Sequence, residues 1–377
     1  MMQEKKRVCI LRSNPVNPDS RVEKEAESLH EAGFEVEILC WDRASNHAVR
    51  TESILDGRVP IHRVGYKAAY GAGMKSIIPY LKFQLFVRRW IKKHGKEFDA
   101  FHACDFDTAF FAKPVIKKSN ARFVFDIFDF ICGDPRTFVQ RIVNNAQLKL
   151  ITDSDLTIIC TEDRKMQISG SCPKKLIVIH NSPDSSMKTI PPSFQINKLR
   201  VSVVYVGVLL NNRLLVEISE YFQKHQEMDF YIAGFGQLEE YFKRISELYS
   251  NIHYLGKISY EETIGLEQEC DIMTSIYDPN VENHRFAASN KYYEALMLGK
   301  PVIVVKHTGM WKTVQENNIG AVIEYSEKGF SQGMSEIINN RDHWDEISQK
   351  MKKIYHENYD WRIMKDRLIA AYNEILQ

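Results

Sequence analysis

An excess of charge of one sign is missing from this chain, in which fifty Lys and Arg stand against forty-nine Asp and Glu for a formal net charge of +1. Such a balance creates no global field to gather a polyanion, so nucleic acid is not an expected partner, although a local basic patch stays open to other anions. Long apolar runs are missing too, with no stretch approaching the roughly 18 residues that a bilayer-spanning helix needs. The opening MMQEKKRVCILRSNP has basic residues followed by only a few apolar ones, too few for a signal-peptide core, and reads as a first β-strand. Any membrane role is therefore expected to be peripheral. Paired cysteines are also lacking. Cys9, Cys40, Cys104, Cys132, Cys160, Cys172 and Cys270 are scattered, odd in number and never at metal-binding or redox spacing. They read as reduced, mostly buried thiols of a cytoplasmic protein.

What is present is the composition of a globular protein, 44% hydrophobic and 26% charged, in 377 residues, which is room for two domains. Short apolar runs (RVCIL, EVEILCW, AFHAC, ARFVFDIF, DLTIIC, KLIVIH) alternate with amphipathic stretches such as Arg21 to Ala32. Strands apolar on both faces and joined by helices predict a parallel sheet. Asn181 to Lys198 is rich in Pro, Ser and Asn without periodicity, and the strand pattern restarts after it with VSVVYVG, MDFYIAGFG, IHYLG, CDIMTSIY and KPVIVV. The expected organisation is α/β, with a first Rossmann-like domain over 1–183, a linker over 184–198, a second Rossmann-like domain over 199–358, and a final helix over 359–377 that packs back on the first. That helix carries Ile363, Leu368, Ala371 and Ile375 near one face. Open parallel sheets bind ligands at the carboxyl ends of their strands. Two such domains facing across a cleft suit a reaction joining two separately bound substrates, and would also suit a dehydrogenase or a binding protein.

The most informative stretch is NHRFAASNKYYEALMLGKPV, Asn283 to Val302. A polar loop with small residues at Ala287, Ala288 and Ser289 opens a helix that carries Lys291 and Glu294 and stops at Gly299. Free N–H groups and the positive end of the helix dipole make such a start an anion site, Lys291 adds a full charge for a diphosphate, and Glu294 can accept from a ribose diol. The bland alternative is a capped helix with a solvated Lys and Glu at i and i+3.

Ser289-Asn290-Lys291, Glu294 and the Gly299-Lys300-Pro301-Val302 exit resemble the donor-binding helix of family 4 glycosyltransferases, which have the GT-B fold. The resemblance runs along nearly the whole chain: Asp19-Ser20-Arg21-Val22 with Glu25-Ala26, Cys40-Trp41-Asp42, Phe101-His102-Ala103 before Asp105, Asn181-Ser182-Pro183, Val206-Gly207, and Ala233-Gly234-Phe235-Gly236. It implies transfer from a nucleoside-diphosphate sugar, a UDP- or GDP-sugar, with retention of configuration and with neither metal nor cofactor. It also implies a donor site of Gly207, Arg213, Gly234, Gly236, Arg285, Ser289, Asn290, Lys291 and Glu294, with Arg213 and Lys291 neutralising phosphate. The donor side departs from the pattern where Phe286 stands in place of a first glutamate that many members carry, and where Val208 stands in place of an arginine.

On the acceptor side, FDAFHACDFDT places His102, Asp105 and Asp107 at a strand end. His102 and Asp105 are candidate catalytic or orienting groups, and the competing reading is a satisfied core histidine and a helix-capping aspartate. Asp19 and Arg21, together with Asp126 and Asp129 where relatives carry Asp-x-His-Glu, complete the acceptor-side candidates. Asp105-x-Asp107, Asp126-x-x-Asp129 and Asp153-x-Asp155 invite a metal reading, but such spacings are common by chance and no metal is expected. Gly234-Phe235-Gly236 lacks the third glycine of a dinucleotide fingerprint and reads as a close backbone approach to the donor nucleotide.

Met74 to Lys96, MKSIIPYLKFQLFVRRWIKKHGK, sets basic residues beside an aromatic-aliphatic face. It reads either as a helix lying on an anionic membrane surface or as a core helix with a solvated basic face. The expectation is a cytoplasmic, peripherally bound hexosyltransferase acting on a glycan or lipid-linked acceptor. Its rivals are a nucleotide-sugar epimerase of the same fold and a non-catalytic partner subunit.

Overall fold

The computed structural model describes residues 5–16, 18–68, 76–133, 136–287 and 289–377; Met74, Lys75 and Ala288 lie outside them. The chain divides into two compact units, one running to His180 and taking back Met364–Gln377, the other comprising Asn181–Ile363.

In the first unit the strands are β1 (Arg7–Arg12), β2 (Glu35–Asp42), β3 (His47–Ile54), β4 (Val59–Gly65), β5 (Ala100–Cys104), β6 (Arg122–Ile127), β7 (Leu156–Ile159) and β8 (Leu176–Val178), and the helices are α1 (Ser20–Glu31), α2 (Ile77–His94), α3 (Asp105–Ile116), α4 (Phe138–Asp153) and α5 (Arg164–Gln167). The eight strands form one sheet in the order β3-β4-β2-β1-β5-β6-β7-β8, parallel except for β3 against β4. The order turns around β1, which pairs with β2 on one side and β5 on the other, so the switch point of the doubly wound sheet lies at the carboxyl ends of β1 and β5. Helices α2, α3 and α4 press Phe83, Val87, Ala109, Ala112, Leu150 and Ile151 into one apolar cluster with the strands.

The second unit holds β9 (Ser202–Leu209), α6 (Leu215–Lys224), β10 (Asp229–Gly236), α7 (Glu239–Leu248), β11 (Ile252–Tyr254), α8 (Tyr260–Glu269), β12 (Ile272–Ser275), α9 (Asn290–Leu298), β13 (Val302–Val305), α10 (Trp311–Asn317), β14 (Gly320–Ile323), α11 (Glu327–Asn339) and α12 (Trp344–Asn358). Its all-parallel sheet runs β11-β10-β9-β12-β13-β14. One face is packed by α6, α7 and α11 through Phe222, Phe242 and Phe330. The other is packed by α8, α9, α10 and α12 through Leu266, Tyr292, Val314 and Met351.

Three of these elements are not among the apolar runs of the sequence. β3 is an exposed edge strand, HAVRTESI, whose residues have no burial to advertise. β4 and β14 are short runs, VPIHRVG and GAVI, interrupted by polar or small residues. The expected linker has no helix or strand, yet it is not loose: Tyr355 Oη donates to the Pro183 carbonyl at 2.6 Å, the Ile190 amide to Glu261 O at 3.0 Å, and Ile196 is buried. A last helix, α13 (Trp361–Ile375), buries Leu368, Ala371, Tyr372 and Ile375, and from Met364 on it belongs to the first unit. Tyr372 stacks edge-on to Phe34 at 5.8 Å and Arg367 donates to Val178 O at 3.3 Å. Five cysteines are buried, Cys132 is half-buried and Cys172 exposed.

The ends of β9 and β10 come unusually close. Gly207, Gly234 and Gly236 have φ of 153°, 137° and 145°, where side chains are strained, and a Cβ on Gly234 would stand 1.8 Å from the Gly207 carbonyl oxygen. Gly234→Ala is therefore expected to cost about 3 kcal/mol or more, combining strained backbone with a clash against main chain. Urea denaturation measures it, and a variant as stable as the wild type would mean the strands have slack.

At the end of β8, His180 is 4% exposed, and burial, with repulsion from Arg367 and Arg21, pushes its pKa down to about 3. A histidine whose folded pKa is depressed contributes stability that is full above its unfolded value of about 6.5 and is lost as pH falls toward 3. His180→Asn should flatten the acid limb of stability over that window, where a single proton gives a slope of up to about 1.4 kcal/mol per pH unit. Denaturant midpoints of both proteins at pH 4 and pH 7 test it, and an unchanged difference would acquit His180.

Candidate functional site

In the second unit the glycine track lies beside the start of α9. Ser289 caps that helix by position but bonds no backbone amide with its side chain; its hydroxyl accepts from Tyr277 Oη at 3.2 Å instead. The side chain of Lys291 reaches back over β9, its ammonium 5.0 Å from the Tyr205 ring centre and so close to Gly207 that a Cβ there would meet it at 2.8 Å. Arg213 approaches on the other side of Tyr277, its guanidinium 4.0 Å above that ring, and is held by the Asn212 carbonyl oxygen and side-chain oxygen at 3.0 Å each. His284 lies 3.4 Å from Arg213. Among the described residues neither Lys291 nor Arg213 has a carboxylate within ion-pair distance. Burial works against the Lys291 charge, but Tyr277, Tyr205, Glu294 and Glu267 more than offset it and raise its pKa, so it is a permanent cation.

Two cations near a glycine-rich strand end and a helix start without a side-chain cap are an arrangement suited to a multiply charged anion. Asn290, at the first helical position, accepts from Asn181 Nδ2 at 3.0 Å. Arg285 is exposed at the end of the short turn Glu282–Arg285. Glu294 is 3% exposed, one turn behind Lys291. It faces Tyr260, whose hydroxyl pKa is raised by burial and then by Glu294. Glu267 on α8, absent from the sequence-based candidates, is 1% exposed, and burial together with Glu294 pushes its pKa well up. Tyr205 and Tyr277 are further members that sequence reasoning missed, although both sit in strand runs it had identified. The expected Arg position is filled by Val208, which is 46% exposed beside Phe235, its register partner, at 51%.

The first unit arranges its candidates differently. His102 is fully buried, with Nδ1 2.8 Å from Tyr372 Oη and Nε2 3.3 Å from Asp126. Arg21, 3% exposed, bonds Asp126 at 2.6 and 3.3 Å, Glu25 at 3.1 Å and the Ile179 carbonyl at 2.9 Å. His102, Arg21 and Asp126 are thus interior groups whose polar edges are engaged by one another, by Tyr372 and by backbone. Burial raises the Glu25 pKa, whereas Arg21 and His102 overcome burial at Asp126 and lower it. Glu25, His102 and Asp126 lie close enough together to ligate a metal, but the Arg21 guanidinium already fills that charge and space.

Nearer the surface, Asp19 caps α1 through the Val22 amide and bonds Arg12 at 2.8 Å and Asn14 at 2.7 Å. Asp105 takes a left-handed φ of 66° at the end of β5, ion-pairs with Arg12, and accepts from the Phe128 and Asp129 amides at 3.0 and 3.1 Å. Burial raises its pKa to about 6 against the pull of Arg12. Phe128, where the resemblance expects histidine, is sandwiched between Arg12 at 4.3 Å and Arg21 at 4.5 Å. Asp129, its side chain 76% exposed, pairs with buried Arg164 at 3.3 Å. Asp105 and Asp129 are thus the acceptor-side candidates that reach solvent.

The basic segment splits along its length. α2 buries Phe83, Gln84, Val87 and Ile91, while Ile77, Ile78, Leu81 and Leu85 are 41–66% exposed and Arg89, Lys92 and Lys93 continue the same open face. The helix thus has one buried apolar face and one open face that mixes apolar and basic residues. Among the described residues no helix is long and apolar enough to cross a membrane.

Residues 200–340 match the family model described as glycosyl transferases group 1. No curated protein sequence matches the chain significantly. Among solved structures, sucrose-phosphate synthase from Thermosynechococcus elongatus superposes with a TM-score of 0.77 at 11% identity, over 98% of this chain and 99% of that one. The Anabaena protein HepE in complex with UDP gives a TM-score of 0.72 at 12% identity, over 98% and 100%. A glycosyltransferase from Rickettsia africae gives 0.67 at 14% identity, over 100% of both chains. At these identities the likeness establishes the fold, that of GT-B glycosyltransferases. The chain thus has the GT-B fold, and residues 200–340, most of its second unit, match a glycosyl transferases group 1 domain.

Proposed function

We propose that this glycosyltransferase moves a hexose from a nucleoside-diphosphate sugar to a hydroxyl of a glycan or lipid-linked glycan, with retention of configuration and without a metal. The observation that carries the reading is the pair of cations Lys291, lying against the bare backbone of Gly207, and Arg213, over the Tyr277 ring, neither with a carboxylate within ion-pair distance among the described residues. A diphosphate supplies the missing charge. Developing charge on the departing diphosphate would be met by these cations and by the amides at the start of α9, which are already oriented before reaction. Glu294, in a low-dielectric interior one turn behind, is the acceptor assigned to the ribose hydroxyls.

UDP as the donor nucleotide is supported by the neighbours' ligands: HepE was solved with UDP-glucose, and a trehalose-6-phosphate protein from E. coli with UDP-2-fluoro glucose. Acceptor binding is assigned to the first unit around Asp105 and Asp129. A lipid-linked acceptor agrees with the exposed apolar and basic face of α2, which we read as facing an anionic bilayer. Phe286 and Val208 favour one rival, a subunit that binds nucleoside diphosphate without turnover, and detection of sugar transfer excludes it.

Lys291→Ala should weaken UDP binding by about 10–100-fold, since a hydrogen bond to a charged group is worth about 1.5–3 kcal/mol. Calorimetric titration of a folded variant reads this directly, and undiminished affinity would remove Lys291 from the site. Turnover should also survive a chelator. Activity lost to EDTA and restored by manganese would overturn metal independence.

A further inference from the structure

The first unit carries more exposed apolar surface than α2 alone accounts for. On α4, Phe138, Val139 and Ile142 are 72%, 69% and 52% exposed; on α3, Phe110 is 45% exposed. These helices pack side by side over one face of the sheet. Between them runs a groove of about 400 Å³ with Phe110, Pro114 and Leu150 as its apolar floor and Arg88, Lys113 and Lys149 along its rim. Several exposed large apolar side chains on neighbouring helices, with a groove rimmed by basic residues among them, mark an interaction site rather than ordinary exposure.

The charges decide what covers it. α2 contains no carboxylate, and the only carboxylate of α4 is Asp153, which is ion-paired with Lys113. On α3, Asp107 and Asp105 stand at the opposite end from Lys113, with Asp105 committed to Arg12. With Lys113 taken up by Asp153, Arg88 and Lys149 are the rim cations that, among the described residues, have no carboxylate within ion-pair distance, and an anion in the groove would supply that charge. A second copy of the chain is disfavoured, because a two-fold contact would bring these cations against their own equivalents.

We propose that α2, α3 and α4 form one docking platform for an anionic phospholipid bilayer, in which Phe138, Val139 and Ile142 enter the interface and the groove between Arg88 and Lys149 takes a lipid phosphate with the start of its acyl chain. Apolar insertion beside cationic contact is what holds a protein reversibly at such a surface. The inference rests on the reading of α2 as bilayer-facing and extends it to residues on two other helices.

The test is flotation of the full chain with vesicles of phosphatidylglycerol and phosphatidylcholine in equal parts, and with phosphatidylcholine alone, at low and high salt. Wild type should bind the mixed vesicles, less so as salt rises. The triple change Phe138→Ser, Val139→Ser, Ile142→Ser and the pair Arg88→Glu, Lys149→Glu should each lower partitioning by roughly tenfold or more. All five positions lie outside the donor site, so UDP titration should be unchanged and reports folding of the second unit, while thermal melting reports the first. Failure of UDP binding with vesicle binding intact would sink the donor reading and leave this one standing. Wild type that ignores the mixed vesicles, a serine variant that binds as tightly as wild type, or a wild-type dimer in light scattering that the serine changes dissociate would each overturn the platform.

Discussion

The first unit is organised around a buried arginine. Arg21 has to be paid for by desolvation, and its Coulomb partners repay that only if geometry and hydrogen bonding are nearly complete. Its donors go to Asp126 from β6 and the Ile179 carbonyl after β8, Glu25 one turn along α1 lies 3.1 Å away as a second charge partner, and the Phe128 ring covers its face. His102 from β5 joins through Asp126, and Tyr372 from the last helix closes the network. A buried ion pair of this kind adds little net stability over an apolar replacement, but removing one partner strands a charge at a cost of about 3–5 kcal/mol. It therefore constrains which elements meet. One consequence is that a residue near the end of the chain completes the interior of a unit built mostly from its first 180 residues.

The same unit shows how a surface is prepared from that interior. Arg12 stands one layer nearer solvent, bonded to Asp19 and Asp105 and lying on the other face of Phe128. Asp105 holds a left-handed backbone there, a conformation that costs about 1–3 kcal/mol and persists only where its surroundings over-determine it. The second unit uses its cations in the opposite way. Arg12 and Arg21 are matched by carboxylates, whereas Lys291 and Arg213 rest on tyrosine rings and backbone oxygens. Matched cations build structure, and cations without acidic partners, held by π faces, stay available to a ligand.

Much of this was legible from pattern. The apolar runs marked most strands, and Ser289, Lys291 and Gly299 marked a helix start, its cation and its left-handed stop. What pattern could not supply was the sense of each polar residue. His102, Arg21 and Asp126 look like active-site chemistry because buried ion networks and catalytic sites draw on the same residue types. Glu267 looks like one more solvated glutamate in YEETIGLEQE, and only packing of α8 against α9 reveals it as buried. β3 escaped because an exposed edge strand has no buried face to impose alternation.

Periodicity and spacing by themselves determined the α/β class, the two-part organisation and the position of the helix that starts at Asn290, because strand burial, helix amphipathicity and turn chemistry are local properties written into neighbouring residues. Tertiary structure alone decided that Gly234 faces Gly207 closely enough to exclude a side chain, that α2 buries one apolar stripe and exposes another beside α4, and that Tyr372 meets His102. Each of these joins residues 27 to 270 positions apart, or sorts one helix's apolar residues between core and solvent. Such outcomes depend on which strands become neighbours, and no window of sequence contains that information.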